Sequence, residues 1–135
     1  MQLVEDLFGD DLPEPAGRVA GLVLPAGPTE IAAFVGRHAA EVGLDAERTR
    51  ALSLAVRETS ASAMPGCLLW IWTEPGALVC EVEDPEPVDD PMAGRVRPRD
   101  AEPDPRGLWL ANQMCDLVQV RSTPKGSRVR IVTWV

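Results

Sequence analysis

Proline and glycine punctuation constrains this chain more than any other feature. Thirteen prolines and eleven glycines fall among 135 residues. Neither type suits the interior of a helix or a central strand, so the chain must fold as short elements joined by long loops. Residues 18–25 (RVAGLVLP) read as a strand ended by proline. Pro28 suits the first turn of a helix, with Thr29 as an alternative N-cap. Ile31, Phe34, Val35, His38 and Val42 form one apolar stripe of that helix, and Gly43 ends it. His38 lies on the stripe and reads as a packed or hydrogen-bonded structural residue. Asp45 is a good N-cap for a second helix, which extends to about Met64 before Pro65 and Gly66 stop it. One of its faces carries Leu52, Ala55, Val56 and Thr59. Another carries Ala51, Leu54 and Ala55 and continues into Glu58 and Ser62, so Glu58 is expected to point inward or into a cleft.

The second half reads as strands. Residues 67–73 (CLLWIWT) are apolar on both faces, as in a central strand. Pro75 and Gly76 suit the central positions of a turn. Residues 77–84 (ALVCEVED) alternate, with Leu78, Cys80 and Val82 toward a core and Glu81 and Glu83 opposite. Residues 85–106 are rich in proline and lack periodicity, a segment of the kind that serves as a lid or stays disordered. A short apolar helix is expected over 107–116. Two further strands, 117–122 and 128–135, form a second hairpin. The order β-α-α-β-β-lid-α-β-β is that of an α+β two-layer sandwich: a mostly antiparallel mixed sheet with helices on one face.

Composition then narrows the function. The length suits one domain, here residues 18–135, with a core of its own. Residues 1–17 form an acidic extension in which Leu3, Val4, Leu7, Phe8 and Leu12 recur at roughly helical spacing. It reads as a frayed or packed tail, or as an amphipathic peptide for a partner groove. The net charge of -8 opposes binding to nucleic acid or an anionic membrane. A single histidine and no tyrosine remove histidine-rich metal sites and most proton-shuttle chemistry. Cys67, Cys80 and Cys115 are odd in number, lack CxxC spacing and read as buried reduced thiols. Trp70, Trp72, Trp109 and Trp134 read as core and sheet-surface residues. No signal peptide, lipidation motif or long apolar run is present, which leads us to expect a cytoplasmic protein.

Three stretches in the same order resemble one family. RTRALSLAVRE (48–58), LWIWTEPGALVCEVEDP (69–85) and RGLWLANQMCDLVQVRS (106–122) are similar to the GHKL, or Bergerat-fold, ATPases of gyrase, MutL and histidine kinases. More narrowly they resemble the anti-sigma regulatory factors, serine/threonine kinases of the RsbW and SpoIIAB type, in their actinobacterial branch. The resemblance covers about residues 18–135. It implies ATP and Mg²⁺ as ligands and three motifs that hold them.

Each motif keeps an anchor and loses a partner. The first offers a glutamate that orients or deprotonates a hydroxyl and, one turn later, an asparagine that coordinates Mg²⁺. Glu58 matches the glutamate, but Ser62 stands at the metal position, four residues on and on the same helical face. A serine hydroxyl is a shorter and weaker Mg²⁺ ligand. The second motif is an aspartate that accepts the adenine amino group, followed by glycines. Asp84 matches; Pro85, Glu86 and Pro87 replace the glycine-bearing part, and proline fixes φ and removes a donor. The third is a glycine-rich turn whose amides cradle phosphate at a helix start. It reads Pro105, Arg106, Gly107, Leu108: one glycine remains, and Arg106 offers charge to phosphate. Three losses on one ligand, each about 1–2 kcal/mol, lower affinity by roughly two to four orders of magnitude.

The resemblance therefore implies an anti-sigma-factor-like regulator that acts by protein–protein binding, with nucleotide binding and kinase activity weakened or lost. Its partner would be a sigma factor or an anti-sigma antagonist, and homodimers are common in the family. The alternatives are an active serine/threonine kinase that phosphorylates an antagonist, with Glu58 as base and Arg106 on phosphate, and a non-catalytic scaffold subunit of a signalling complex. Against these stand plainer readings: Glu58 satisfied by a buried partner, and Asp84 capping the loop after its strand.

Overall fold

The structure, a computed structural model, describes residues 2–5, 19–61, 63–86 and 115–135. Its elements are β1 (Gln2–Glu5), β2 (Ala20–Val23), α1 (Pro28–Glu41), α2 (Ala46–Ser60), β3 (Leu68–Glu74), β4 (Ala77–Asp84), β5 (Leu117–Thr123) and β6 (Gly126–Trp134). The strands form one sheet in the order β1-β5-β6-β4-β3-β2. All neighbours are antiparallel except β1, which runs parallel to β5 with Leu3 opposite Val118. The helical spacing read over Leu3 and Val4 therefore does not hold at residues 2–5. The backbone there pairs with β5, which satisfies peptide groups along that strand. The rest of the acidic extension, the lid-like segment from residue 87 and the short helix over residues 107–114 lie outside the described residues.

Local chemistry sets the helix ends. Gly27 is the extended N-cap of α1 and Pro28 fills its first turn, where a missing N–H leaves nothing unsatisfied. Gly43, at φ +73°, follows its C-cap. Asp45 caps α2 by accepting from the Arg48 amide at 2.7 Å. The second helix ends at Ser60, short of the expected Met64. Thr59 Oγ1 donates back to the Ala55 carbonyl at 2.8 Å. The amides of Ala61 and Ala63 then reach only three residues back, to Glu58 and Ser60. The Thr59 hydroxyl thus competes for a backbone carbonyl, and the last turn tightens instead of propagating.

Both helices pack on one face of the sheet. Ile31, Phe34, Val35 and Ala39 of α1 and Leu52, Ala55 and Val56 of α2 share a core with Leu69, Ile71, Leu78, Cys80, Val82, Val118, Val129 and Ile131. The alternation read for β4 is thus observed, and the architecture is the expected α+β sandwich. Each such side chain contributes about 1.5–3 kcal/mol on burial. His38 is half-buried, donates from Nδ1 to the Phe34 carbonyl at 2.9 Å and tilts against the Phe34 ring. It is the structural histidine expected.

On the opposite face Glu81 lies where alternation puts it, and it is buried. Its Oε1 is 3.2 Å from Arg130, its neighbour across β4 and β6. The Arg130 guanidinium also lies 4.8 Å from the centre of the Trp72 ring. Trp72, Ala77, Val79 and Val132 make a second small core on this face. Burial raises the Glu81 carboxyl above its ordinary value, opposed by the charges of Arg130 and Arg128. All three cysteines are buried free thiols. Burial raises the Cys80 thiol and pushes Cys115 up to about 12.

Candidate functional site

The topology brings Glu58 and Asp84 to the same end of the sandwich. At the other end, Arg48 in the first turn of α2 pairs with Asp116 at 3.2 Å and donates to the Trp134 carbonyl. Trp134 is opposite Ala77, the first residue of β4. From there the 15 residues of α2 advance about 22 Å. The eight residues of β4 advance about 26 Å. The loop after α2 leads straight into Leu68, which pairs with Glu83. Glu58, in the last turn of α2, and Asp84, the last residue of β4, therefore share one end. Alternation with Leu78, Cys80 and Val82 sets Asp84 on the helix-bearing face.

Glu58 is exposed, so it does not point into the protein and a buried partner does not explain it. Thr59 and Ser60, its neighbours, are buried instead. The helix itself ends at Ser60. Ser62 itself, with Arg106, Gly107 and Leu108, lies outside the described residues. Among the described residues no cluster of three or more His, Cys, Asp or Glu is placed to hold a metal ion.

Asp84 opens onto a cleft of about 350 Å³ at the strand ends. Its lining includes Gly66, Asp84, Pro85, Gly126 and Ser127 together with Arg121, Lys125, Arg128 and a second carboxylate, Glu83. The Asp84 carboxylate is engaged by its own loop: Oδ1 accepts from the Glu86 amide at 2.8 Å. Ser127 stands directly opposite Asp84 across β4 and β6. Its Oγ donates to the Glu86 carbonyl, also at 2.8 Å. The loop-capping reading of Asp84 is therefore observed.

Two glycines let the loop lie there. At Gly126, φ is +146° and a Cβ would fall 2.5 Å from the Asp84 carbonyl oxygen. At Gly66, φ is +104° and a Cβ would meet the Pro85 ring at 3.7 Å. Sequence reasoning missed both Gly126 and Ser127 as site residues. The only signal was register: once β4 and β6 are neighbours, the residue after the 123–126 turn falls opposite Asp84. The aspartate is in place, and its carboxylate and the Ser127 hydroxyl both bind the backbone of Glu86.

No described helix is long and apolar enough to cross a membrane. A search of curated proteins finds no match. The family model of the histidine kinase-like ATPase domain matches residues 24–133. That span holds both helices, β3 to β5, nearly all of β6 and every residue of the site just described. With the α+β fold in accord, the chain belongs to the histidine kinase-like ATPase domain family.

Proposed function

We propose that this chain is an anti-sigma-factor-like regulatory protein that acts by binding another protein, with nucleotide binding and kinase activity weakened or lost. The observation that carries this reading is the residue pair at the metal side: Glu58 is exposed in the last turn of α2, and the residue four on, where a metal ligand would be needed for Mg²⁺ to bridge a triphosphate, is a serine in the sequence. Loss of the metal and phosphate side removes kinase chemistry while the packed core keeps the fold. The partner in this reading is a sigma factor or its antagonist, met in the cytoplasm. A net charge of -8 favours a basic partner surface. Homodimerisation belongs to the same proposal.

Isothermal titration with Mg-ATP tests the nucleotide part, and micromolar binding would sink it. Affinity purification from the native host tests the partner: recovery of a sigma factor or an anti-sigma antagonist is expected. Signalling proteins recovered without either would favour a scaffold role instead. The exposure of Glu58 favours one second reading, an active serine/threonine kinase with Glu58 as base. Phosphotransfer to a captured partner that disappears in Glu58→Gln would establish it.

A further inference from the structure

The cleft beside Asp84 carries a charge balance opposite to that of the whole chain. The net charge is -8, yet among the described residues the lining holds three cations, Arg121, Lys125 and Arg128, against two carboxylates, Glu83 and Asp84. Neither helix contributes a described residue to it. Register shows where the arginines stand. Val120 and Val129 belong to the core under the helices, so Arg121 and Arg128, each one residue away, lie on the helix-free face. They are directly opposite each other across β5 and β6, a position in which like charges repel. Farther along that face Arg130 is matched by Glu81 at 3.2 Å. Glu83 stands across from Arg128, and its Oε2 accepts from Trp70 Nε1 at 2.9 Å. Asp84 Oδ1 accepts from the Glu86 amide. Each carboxylate is thus engaged by a donor outside the cation group. Arg121 is buried, where solvent screens its charge least. A guanidinium has five N–H donors in a fixed fork, so contacts within the protein do not exhaust it. Leu68 and Pro85 give the lining an apolar edge.

We propose that this cleft is a binding site, separate from any nucleotide site, for a phosphate dianion carried on a small organic group. Arg121 and Arg128 supply forked donors that match phosphate oxygens in pairs, and Lys125, exposed in the turn, supplies a point charge. A volume of about 350 Å³ leaves room for the organic group against Leu68 and Pro85. The inference goes beyond the proposed regulatory role and does not depend on it, since the three cations belong to none of the three motifs.

Phenyl phosphate is the probe, with inorganic phosphate and benzoate beside it, followed through the amide spectrum of the full-length chain. It should shift the amides of residues 121–128 and bind about tenfold or more tighter than benzoate, a monoanion of similar shape. Arg128→Gln should weaken binding about tenfold or more, and Lys125→Gln about threefold or more. Arg37→Gln removes the same charge from an exposed position of α1 and should bind as the parent does. If Arg128→Gln unfolds, Lys125→Gln against Arg37→Gln decides. Amides of 121–128 that stay still at about 20 mM phenyl phosphate, equal losses in Lys125→Gln and Arg37→Gln, or benzoate binding as tightly would each overturn the proposal. Binding no tighter than that of inorganic phosphate would overturn its organic-group part. Displacement by adenosine, which has no phosphate, would put the probe in a nucleotide site and overturn the separation. Micromolar Mg-ATP binding with phenyl phosphate still bound would sink only the proposed loss of nucleotide binding and leave this inference standing.

Discussion

Replacing Gly126 with alanine would place a Cβ 2.5 Å from the Asp84 carbonyl oxygen, 3.2 Å from Pro85 Cα and 3.3 Å from the Pro85 carbonyl carbon. All three are backbone atoms, so no side-chain rotation relieves the overlap. Two terms add. The backbone at φ +146° suits glycine, and an alanine there costs about 1–3 kcal/mol. The overlap forces β4 and the 123–126 turn apart, for about 1–3 kcal/mol more. Gly76 provides the control. It has φ +77° with nothing within 4 Å of its would-be Cβ, so Gly76→Ala carries the backbone term alone. Urea unfolding followed by tryptophan fluorescence measures both variants, with four tryptophans as reporters. Gly126→Ala should lose about 1–3 kcal/mol more than Gly76→Ala, with an unchanged denaturant slope. For a domain of this size each kcal/mol lowers Tm by roughly 3–5 °C. Equal losses would refute the close approach of the two turns and, with it, the geometry that holds Glu86.

Four other expectations follow from the described structure. Burial raises the Glu81 carboxyl, so it takes up a proton more readily folded than unfolded. Its contribution to stability is present in full below about 4.5, the ordinary carboxylate value, and is lost as pH rises through the raised value. The stability difference between the parent and Glu81→Gln should therefore shift against the parent as pH climbs from 4 to 7, and a shift the other way would contradict it. Arg130→Ala strips Glu81 of its partner at a buried site and should destabilise by about 3–5 kcal/mol, whereas Arg130→Met should lose clearly less in the same urea titration. Asp45→Ala removes the cap of α2 and should lose about 0.5–2 kcal/mol by the same measurement, with Asp45→Ser close to the parent. The buried thiols should resist a disulfide reagent at pH 8 in the folded chain and react only as it unfolds, since Cys80 and Cys115 ionise well above that pH.

What could be read from the sequence was whatever depended on period and punctuation. The bounds of β4 follow from strict alternation and a proline stop. The starts of α1 and α2 follow from Pro28 and Asp45, whose capping chemistry is local. The end of α2 did not follow. Pro65 is a strong stop, but the Thr59 hydroxyl acts first, and its competition with the backbone is weak enough to be overlooked in a propensity count. Glu81 falls on the face that alternation assigns, and its burial there has no mark in the sequence. Alternation tells which side of a sheet a residue occupies, and it does not tell whether that side is covered. Ser127 is the clearest case of a site residue with no local mark: its role comes from register with Asp84, 43 positions earlier by the numbering, and from a loop that folds back between them.

These departures have a common location. The opposite end of the sandwich is tied by Arg48, Asp116 and Trp134, where the Asp116 carboxylate takes the Trp134 amide at 2.8 Å and Arg48 at 3.2 Å. That tie joins α2 to β5 and β6 and involves none of the motif residues. The core between the two ends is a continuous apolar layer and draws on none of them either. At the Glu58 and Asp84 end, the described residues show a helix that ends at Ser60 and a proline directly after the aspartate. Among the described residues the motif anchors and the core are therefore separate sets. Changes at the first can leave the second intact.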